Sequence, residues 1–225
     1  MSFFATFVED DWGGSYQLTT GGYTALVVVM LALLLLGCAI FGGKKKFNAK
    51  QLAFSAMAIA LAMVTSMIKL IHMPMGGSVT LFSMLFIVLI GYWYGLGAGL
   101  TTAIAYGILQ LVVDPYILSV PQMLVDYIFA FGALGLAGIF WKNKSKYSLL
   151  LCYIVGVLGR YFFAFLSGWI FFGMYAGDYG FKSGVVYSLV YNGAYLGLEA
   201  LFTLILLALP PVNKALAYVK ELAQK

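Results

Sequence analysis

Apolar residues in this chain gather into seven long stretches, at roughly 22–42, 48–71, 79–94, 96–113, 119–141, 148–173 and 184–209. About 20 apolar residues carry a helix across the hydrocarbon core of a bilayer, and most of the seven approach or exceed that length. The third and fourth are shorter, and only Tyr94-Gly95 separates them. The pattern predicts a bundle of membrane-spanning helices joined by short polar connections. The run Gly91-Tyr92-Trp93-Tyr94-Gly95 supplies amphipathic rings suited to a membrane interface.

Charge sorts the connections into two sides. Of 13 basic residues, ten fall in three clusters: Lys44, Lys45, Lys46 and Lys50; Lys142, Lys144 and Lys146; and Lys214, Lys220 and Lys225. Cytoplasmic connections carry such an excess of lysine and arginine. With the N-terminus outside, every cluster lands inside, while Glu9, Asp10, Asp11, Asp114 and Asp178 fall outside. The C-terminus is then cytoplasmic. A cleavable signal peptide has a basic segment before its apolar core; here the preceding charges are acidic, so the first span reads as an anchor.

Composition agrees. Hydrophobic residues make up 63% of the 225 and charged ones 9%, against ~25% charged in a soluble domain. This is an integral membrane protein of the all-α class, too short to hold a sizeable soluble domain as well. The net charge of +5 resides in juxtamembrane clusters and does not indicate a nucleic-acid partner.

Several chemistries find no motif. There is no GxxxxGK[ST] phosphate loop, so the chain does not power transport with ATP by itself. No HExxH or GxSxG is present. Cys38 and Cys152 lie in apolar spans without a CxxC or histidine neighbour, and His72 is the one histidine. Neither a metal site nor a cofactor is expected.

Three charges stand well inside spans, away from the ends: Asp126, Arg160 and Glu199, whereas Lys50 and Lys69 lie at the two ends of the second span. An ionisable group at a helix centre costs roughly 2.5–3.5 kcal/mol on insertion scales, so it faces a cavity or a partner. One reading is a polar pocket within the bundle. The other is an Asp126–Arg160 pair that only holds helices together.

Four segments collect polar and aromatic groups near the outer face. Met73-Pro74-Met75-Gly76-Gly77-Ser78 has the composition of a lid. Asp114-Pro115-Tyr116 leads into a helix on which Gln122 and Asp126, four apart, share a face, with Tyr127 following. Arg160, Ala164, Gly168 and Phe172 form a stripe at steps of four, and Tyr187 to Asn192 open the last span. A carboxylate, two amides and several rings would suit a flat, cationic or amine-bearing heteroaromatic ligand. Cation–π attraction would add ~0.5–2 kcal/mol per ring, and Gln122 and Asn192 offer paired donors and acceptors. Ala56 and Ala60 stand at a small-xxx-small spacing that permits close helix contact, within the bundle or with another protein.

In these segments the chain resembles the substrate-binding (S) components of energy-coupling factor vitamin transporters, specifically the thiamine-binding family. The motifs are MPMGGSV at 73–79, PQMLVDY at 121–127, RYFFAFLSGWIFFG at 160–173 and VYSLVYN at 186–192, and the resemblance covers roughly residues 47–210. It implies a six-helix bundle, here at 47–213; the outer tail and additional N-terminal helix at 1–46 exceed that pattern, and a cytoplasmic basic tail at 214–225 follows the bundle. It implies high-affinity capture of thiamine at the outer face, without covalent chemistry. The partners it implies are a transmembrane coupling protein and two ATPase subunits, as in an ABC-type transporter. Motif position assigns the acidic ligand contact to Asp126, followed by Tyr127. It assigns an aromatic contact to Tyr116, a close-approach site to Gly168, a stacking ring to Phe172 and polar contacts to Tyr187 and Asn192. Ala56 and Ala60 match the docking face of the first bundle helix. Ala164 stands where the family usually shows His, so one ligand hydrogen bond is either missing or supplied by Tyr161 or Arg160, and Asp126 stands where some members carry Glu.

Three rivals to thiamine capture follow from the same residues. One is an S component for a related vitamin or an aminopyrimidine precursor. Another is a membrane-embedded enzyme using Asp126 and Arg160 as an acid–base pair. A third is a structural subunit without a ligand.

Overall fold

The bundle begins at Asn48, whose side chain accepts the Lys50 N–H while the Gln51 side chain accepts the Asn48 N–H in return. This capping box satisfies free donors at the start of helix α1, Ala49–Ser66. The computed structural model describes residues 3–8, 15–22, 24, 25, 28, 48–143, 145 and 147–224. The additional span expected at 22–42 lies almost wholly outside them, as do Lys44–Lys46, Lys144, Lys146 and Lys225. Within the N-terminal tail, strand β1 (Ala5–Val8) pairs antiparallel with β2 (Ser15–Leu18).

After α1 the chain departs from the expected pattern. The spans expected at 48–71 and 79–94 are helical only over Ala49–Ser66 and Ser83–Tyr94 (α2). Between them, β3 (Lys69–His72) and β4 (Ser78–Thr80) form an antiparallel hairpin with Lys69 opposite Thr80 and His72 opposite Ser78. Apart from Lys69, apolar residues continue from the helix through Leu70-Ile71, so hydropathy does not mark the switch. The β-branched residues Ile71, Val79 and Thr80 and the turn formers Pro74, Gly76 and Gly77 explain it. Met75 at φ 60° and Gly76 at φ 88° close the turn, and the Met73 N–H donates to the Gly77 carbonyl at 2.8 Å.

Helix α3 spans Leu96–Val113. Helix α4 covers Val120–Phe140 and changes pitch twice: it is π-helical over Leu124–Ala130 and tightens to 3₁₀ over Ala133–Phe140. Asp126 sits in the widened turn. Such turns recur where a helix must re-aim side chains at a site. Helices α5 (Ser148–Phe171) and α6 (Gly184–Ala208) complete the bundle, and α7 (Pro210–Gln224) follows.

Five of these helices, α1 and α3 to α6, are long and apolar enough to cross a membrane, and α2 is a shorter apolar helix of 12 residues. α2 is the axis of the bundle: Met84, Ile87, Val88 and Ile90 are fully buried, packed with Leu134, Ala137, Tyr153 and Leu196 of its neighbours. α3 and α4 meet backbone to backbone. A methyl group on Gly99 would lie 2.8 Å from the Gly135 carbonyl oxygen, so this crossing requires glycine.

The stretch expected as a basic tail is the helix α7, which turns back beneath the bundle. The Tyr94 hydroxyl donates to the Ala223 carbonyl at 3.0 Å, Gln224 Nε2 donates to the Trp93 carbonyl at 2.8 Å, and Lys220 lies 4.0 Å over the Tyr92 ring.

Candidate ligand-binding cavity

The widened turn of α4, the outer halves of α5 and α6, the end of α3 and the β3–β4 turn enclose one cavity. All ten residues expected at a site line it: Tyr116, Gln122, Asp126, Tyr127, Arg160, Ala164, Gly168, Phe172, Tyr187 and Asn192. They come from segments up to 76 positions apart (116 to 192) and meet because helices pack through small residues.

Gln122 and Asp126 form its polar anchor. Gln122 is 1% exposed, and its Nε2 donates to Asp126 Oδ2 at 2.5 Å and to the Tyr116 carbonyl at 3.1 Å. Its Oε1 accepts the Leu118 N–H at 2.9 Å. Both amide donors are thus committed, so Gln122 positions the carboxylate and its loop rather than reading a ligand directly. Tyr127 serves the same loop: its hydroxyl donates to the Asp114 carbonyl at 2.9 Å and accepts the Tyr116 N–H at 2.7 Å. Tyr116 in turn stacks on Phe172, with ring centroids 6.0 Å apart.

Arg160 lies across the cavity without forming an ion pair with Asp126, since no nitrogen–oxygen distance between them falls within 4.0 Å. Its guanidinium sits 4.1 Å over the Phe131 ring. The pairing that would make these charges purely structural is therefore absent. Ser167 is buried beside Asp126 and lines the cavity, and its hydroxyl has no hydrogen bond of standard geometry. That hydroxyl faces the Asp126 carboxylate and adds a polar group to the cavity wall.

The α5–α6 contact is built around Gly168. A Cβ there would lie 2.7 Å from Asn192 Nδ2 and would also strike the Ser188 hydroxyl. Asn192 donates from Nδ2 to the Ser188 carbonyl at 3.0 Å, and its Oδ1 accepts from the Tyr195 hydroxyl at 3.0 Å. Tyr187 packs among Tyr179, Phe181 and Tyr191, and its hydroxyl contacts Met75 Sδ at 3.5 Å. Ala164 is buried on the cavity wall.

Several lining residues escaped the sequence reading. Tyr191 donates to the Pro74 carbonyl and accepts the Gly77 N–H at 3.0 Å, clamping the β3–β4 turn. Tyr187, Tyr191 and Tyr195 stand at steps of four on α6, and that stripe was the available signal. Lys69 bridges to Asp114 at 2.5 Å on the cavity rim. Thr80, Ser83 and Tyr106 carried no recognisable pattern.

Glu199, the third charge within a span, does not line the cavity. It is 2% exposed and accepts four hydrogen bonds, from Thr80, Ser83 and Met84.

On α1, Ala58, Ala62 and Ser66 pack inward, whereas Ala56 and Ala60 are exposed. Inner packing is therefore not what Ala56 and Ala60 do. Among the described residues no group of three His, Cys, Asp or Glu side chains is placed to hold a metal ion.

The profile of the thiamine transporter protein family (Thia_YuaJ) matches residues 52–218, most of the chain. This protein belongs to the thiamine transporter family. It is 35% identical over 157 residues to the thiamine transporter ThiT of Bacillus subtilis (strain 168), covering 63% of this chain and 78% of the relative. Its fold is similar to that of a solved ThiT from Listeria monocytogenes, with a TM-score of 0.53 and 24% identity, over 81% of this chain and 97% of that one. The family is one of transporters, which removes the acid–base enzyme as a reading of Asp126 and Arg160. Like its family, the protein is a multi-pass membrane protein.

Proposed function

We propose that this protein is the S component of an energy-coupling factor transporter and captures thiamine in the cavity of α3 to α6. The observation that carries this is the Gln122–Asp126 pair. An unpaired carboxylate, held by an amide with no donor to spare, faces a cavity walled by Tyr116, Phe172 and Tyr187. Thiamine joins a cationic ring to an aminopyrimidine, and such a cavity offers it a negative charge and aromatic faces.

This chain has no phosphate-binding loop through which to power uptake with ATP by itself. A transmembrane coupling protein and two ATPase subunits would provide the energy, with Ala56 and Ala60 on the outer surface of α1 as the docking face. The lysine clusters support an orientation with the N-terminus outside and the C-terminus in the cytoplasm.

Calorimetric titration of the detergent-solubilised protein with thiamine tests the capture. Saturable binding at one site per chain is expected. Binding of an aminopyrimidine but not of thiamine would reassign the vitamin, and binding of neither would overturn the reading.

A further inference from the structure

Helix α2 starts inside the bundle, at the level of Glu199, and its own N-cap offers nothing. Phe82 holds that position in a left-handed conformation, φ 61°, with no side-chain hydrogen bond to the first turn. The cap comes from another helix. Glu199 Oε1 accepts the Met84 N–H at 3.2 Å and Oε2 accepts the Thr80 N–H at 3.2 Å. A carboxylate at a helix N-terminus satisfies free donors and meets the positive end of the dipole. Among the described residues no cation lies within 4.0 Å of it, so these donors are its main compensation.

Its remaining bonds reach towards the cavity. The Thr80 hydroxyl donates to Oε2 at 2.7 Å. The Ser83 hydroxyl lies 3.1 Å from Oε1 and 2.7 Å from Thr80 Oγ1, and either bond holds its one proton inside the cluster, with the Tyr106 side chain as a further neighbour. Thr80 and Ser83 both line the cavity that Glu199 itself does not reach. With both protons held within the Thr80–Ser83–Glu199 cluster, the two oxygens can offer a ligand only lone pairs.

We infer that Glu199 acts on the cavity through Thr80 and Ser83, making them a hydrogen-bond-accepting floor for an N–H-bearing or cationic group of the ligand. Glu199 is a positioning residue, and this floor is a second acceptor site, separate from Asp126. The inference rests on the proposed capture of thiamine. A glutamine at 199 would bring its own N–H donors to the cluster, and one hydroxyl proton would turn towards the cavity.

The test is thiamine calorimetry on the full-length solubilised protein with Glu199→Gln, Ser83→Ala and the double variant, alongside their unfolding temperatures. Ser83→Ala should weaken binding by roughly three- to tenfold, the span of one lost hydrogen bond. Glu199→Gln should weaken it at least as much, and the double variant no further than the worse single one. Losses that multiply would show that Glu199 serves α2 alone and would overturn the relay. Should Glu199→Gln not fold, Ser83→Ala and Thr80→Val decide, and wild-type affinity in both would also overturn it. A wild-type protein that does not bind thiamine removes the proposed function and this inference together.

Discussion

Tyr191 holds Gly77 from 114 positions away, accepting its N–H at 3.0 Å while donating to the carbonyl of Pro74. One phenol on α6 therefore fixes both sides of the turn that covers the cavity, a turn already constrained by the left-handed residues Met75 and Gly76. Tyr191→Phe removes both bonds and keeps the ring that packs between Tyr187 and Tyr195. Each lost bond is typically worth ~0.5–1.5 kcal/mol. Thiamine should dissociate about ten times faster or more from the variant, whose unfolding temperature should fall by only a few degrees. An unchanged dissociation rate in stopped-flow competition would show that the turn is held by other contacts.

Asp126→Asn should weaken thiamine binding by about ten- to a hundredfold, because hydrogen bonds to a charged group are worth ~1.5–3 kcal/mol. Folding should survive. No ion pair with Arg160 is broken, and an asparagine oxygen can still accept from Gln122. Calorimetry is the suitable readout, since among the described residues Trp93, Trp141 and Trp169 all lie away from the cavity lining. If instead the folded protein is lost and affinity in the remainder is normal, Asp126 belongs to helix packing.

Much of this site was legible because membrane burial leaves few excuses for polarity. Asp126 and Arg160 stood out as charges within apolar spans, and the four-residue step from Gln122 to Asp126 survives the widened turn as a 2.5 Å contact. The stripe of Arg160, Ala164, Gly168 and Phe172 reads directly as one wall. The hairpin at 69–80 was not legible, because Leu70, Ile71 and Val79 are as apolar as the helices on either side. Nor was the fate of Glu199. Its partners Thr80, Ser83 and Met84 lie 115 to 119 positions away, and no periodicity on α6 encodes them. Gln122 shows the remaining limit: residue type marked it as polar and facing Asp126, but only the contacts to Tyr116 and Leu118 reveal that it has no donor left for a ligand.

Replacing both Ala56 and Ala60 by Leu should abolish transport and assembly with the coupling protein, while thiamine binding to the isolated protein stays normal. Both alanines are exposed on α1, away from the inward face of Ala58, Ala62 and Ser66. Larger side chains there would keep a partner helix from approaching closely, yet would touch nothing in the cavity. Co-purification and vesicle uptake measure the two effects separately. Normal uptake with both leucines in place would move the docking face elsewhere.

Ala164 offers the sharpest test of the cavity wall. It is buried, lines the cavity, and sits one helical turn from both Arg160 and Gly168. The neighbours that could have filled the space beside it point elsewhere: Phe163 stacks on Phe129 at 5.7 Å, and the Tyr161 hydroxyl donates to the Leu189 carbonyl at 3.1 Å. A histidine at 164 therefore enters the cavity and offers a ring nitrogen to whatever is bound. One added hydrogen bond is worth ~0.5–1.5 kcal/mol, or up to roughly tenfold in affinity. Ala164→His should accordingly tighten thiamine binding by up to about tenfold, measured by calorimetry against the wild type. Weaker binding would mean that the ligand occupies the space of the imidazole, as a differently shaped vitamin would. Identical affinity would mean that the ligand does not reach this wall at all.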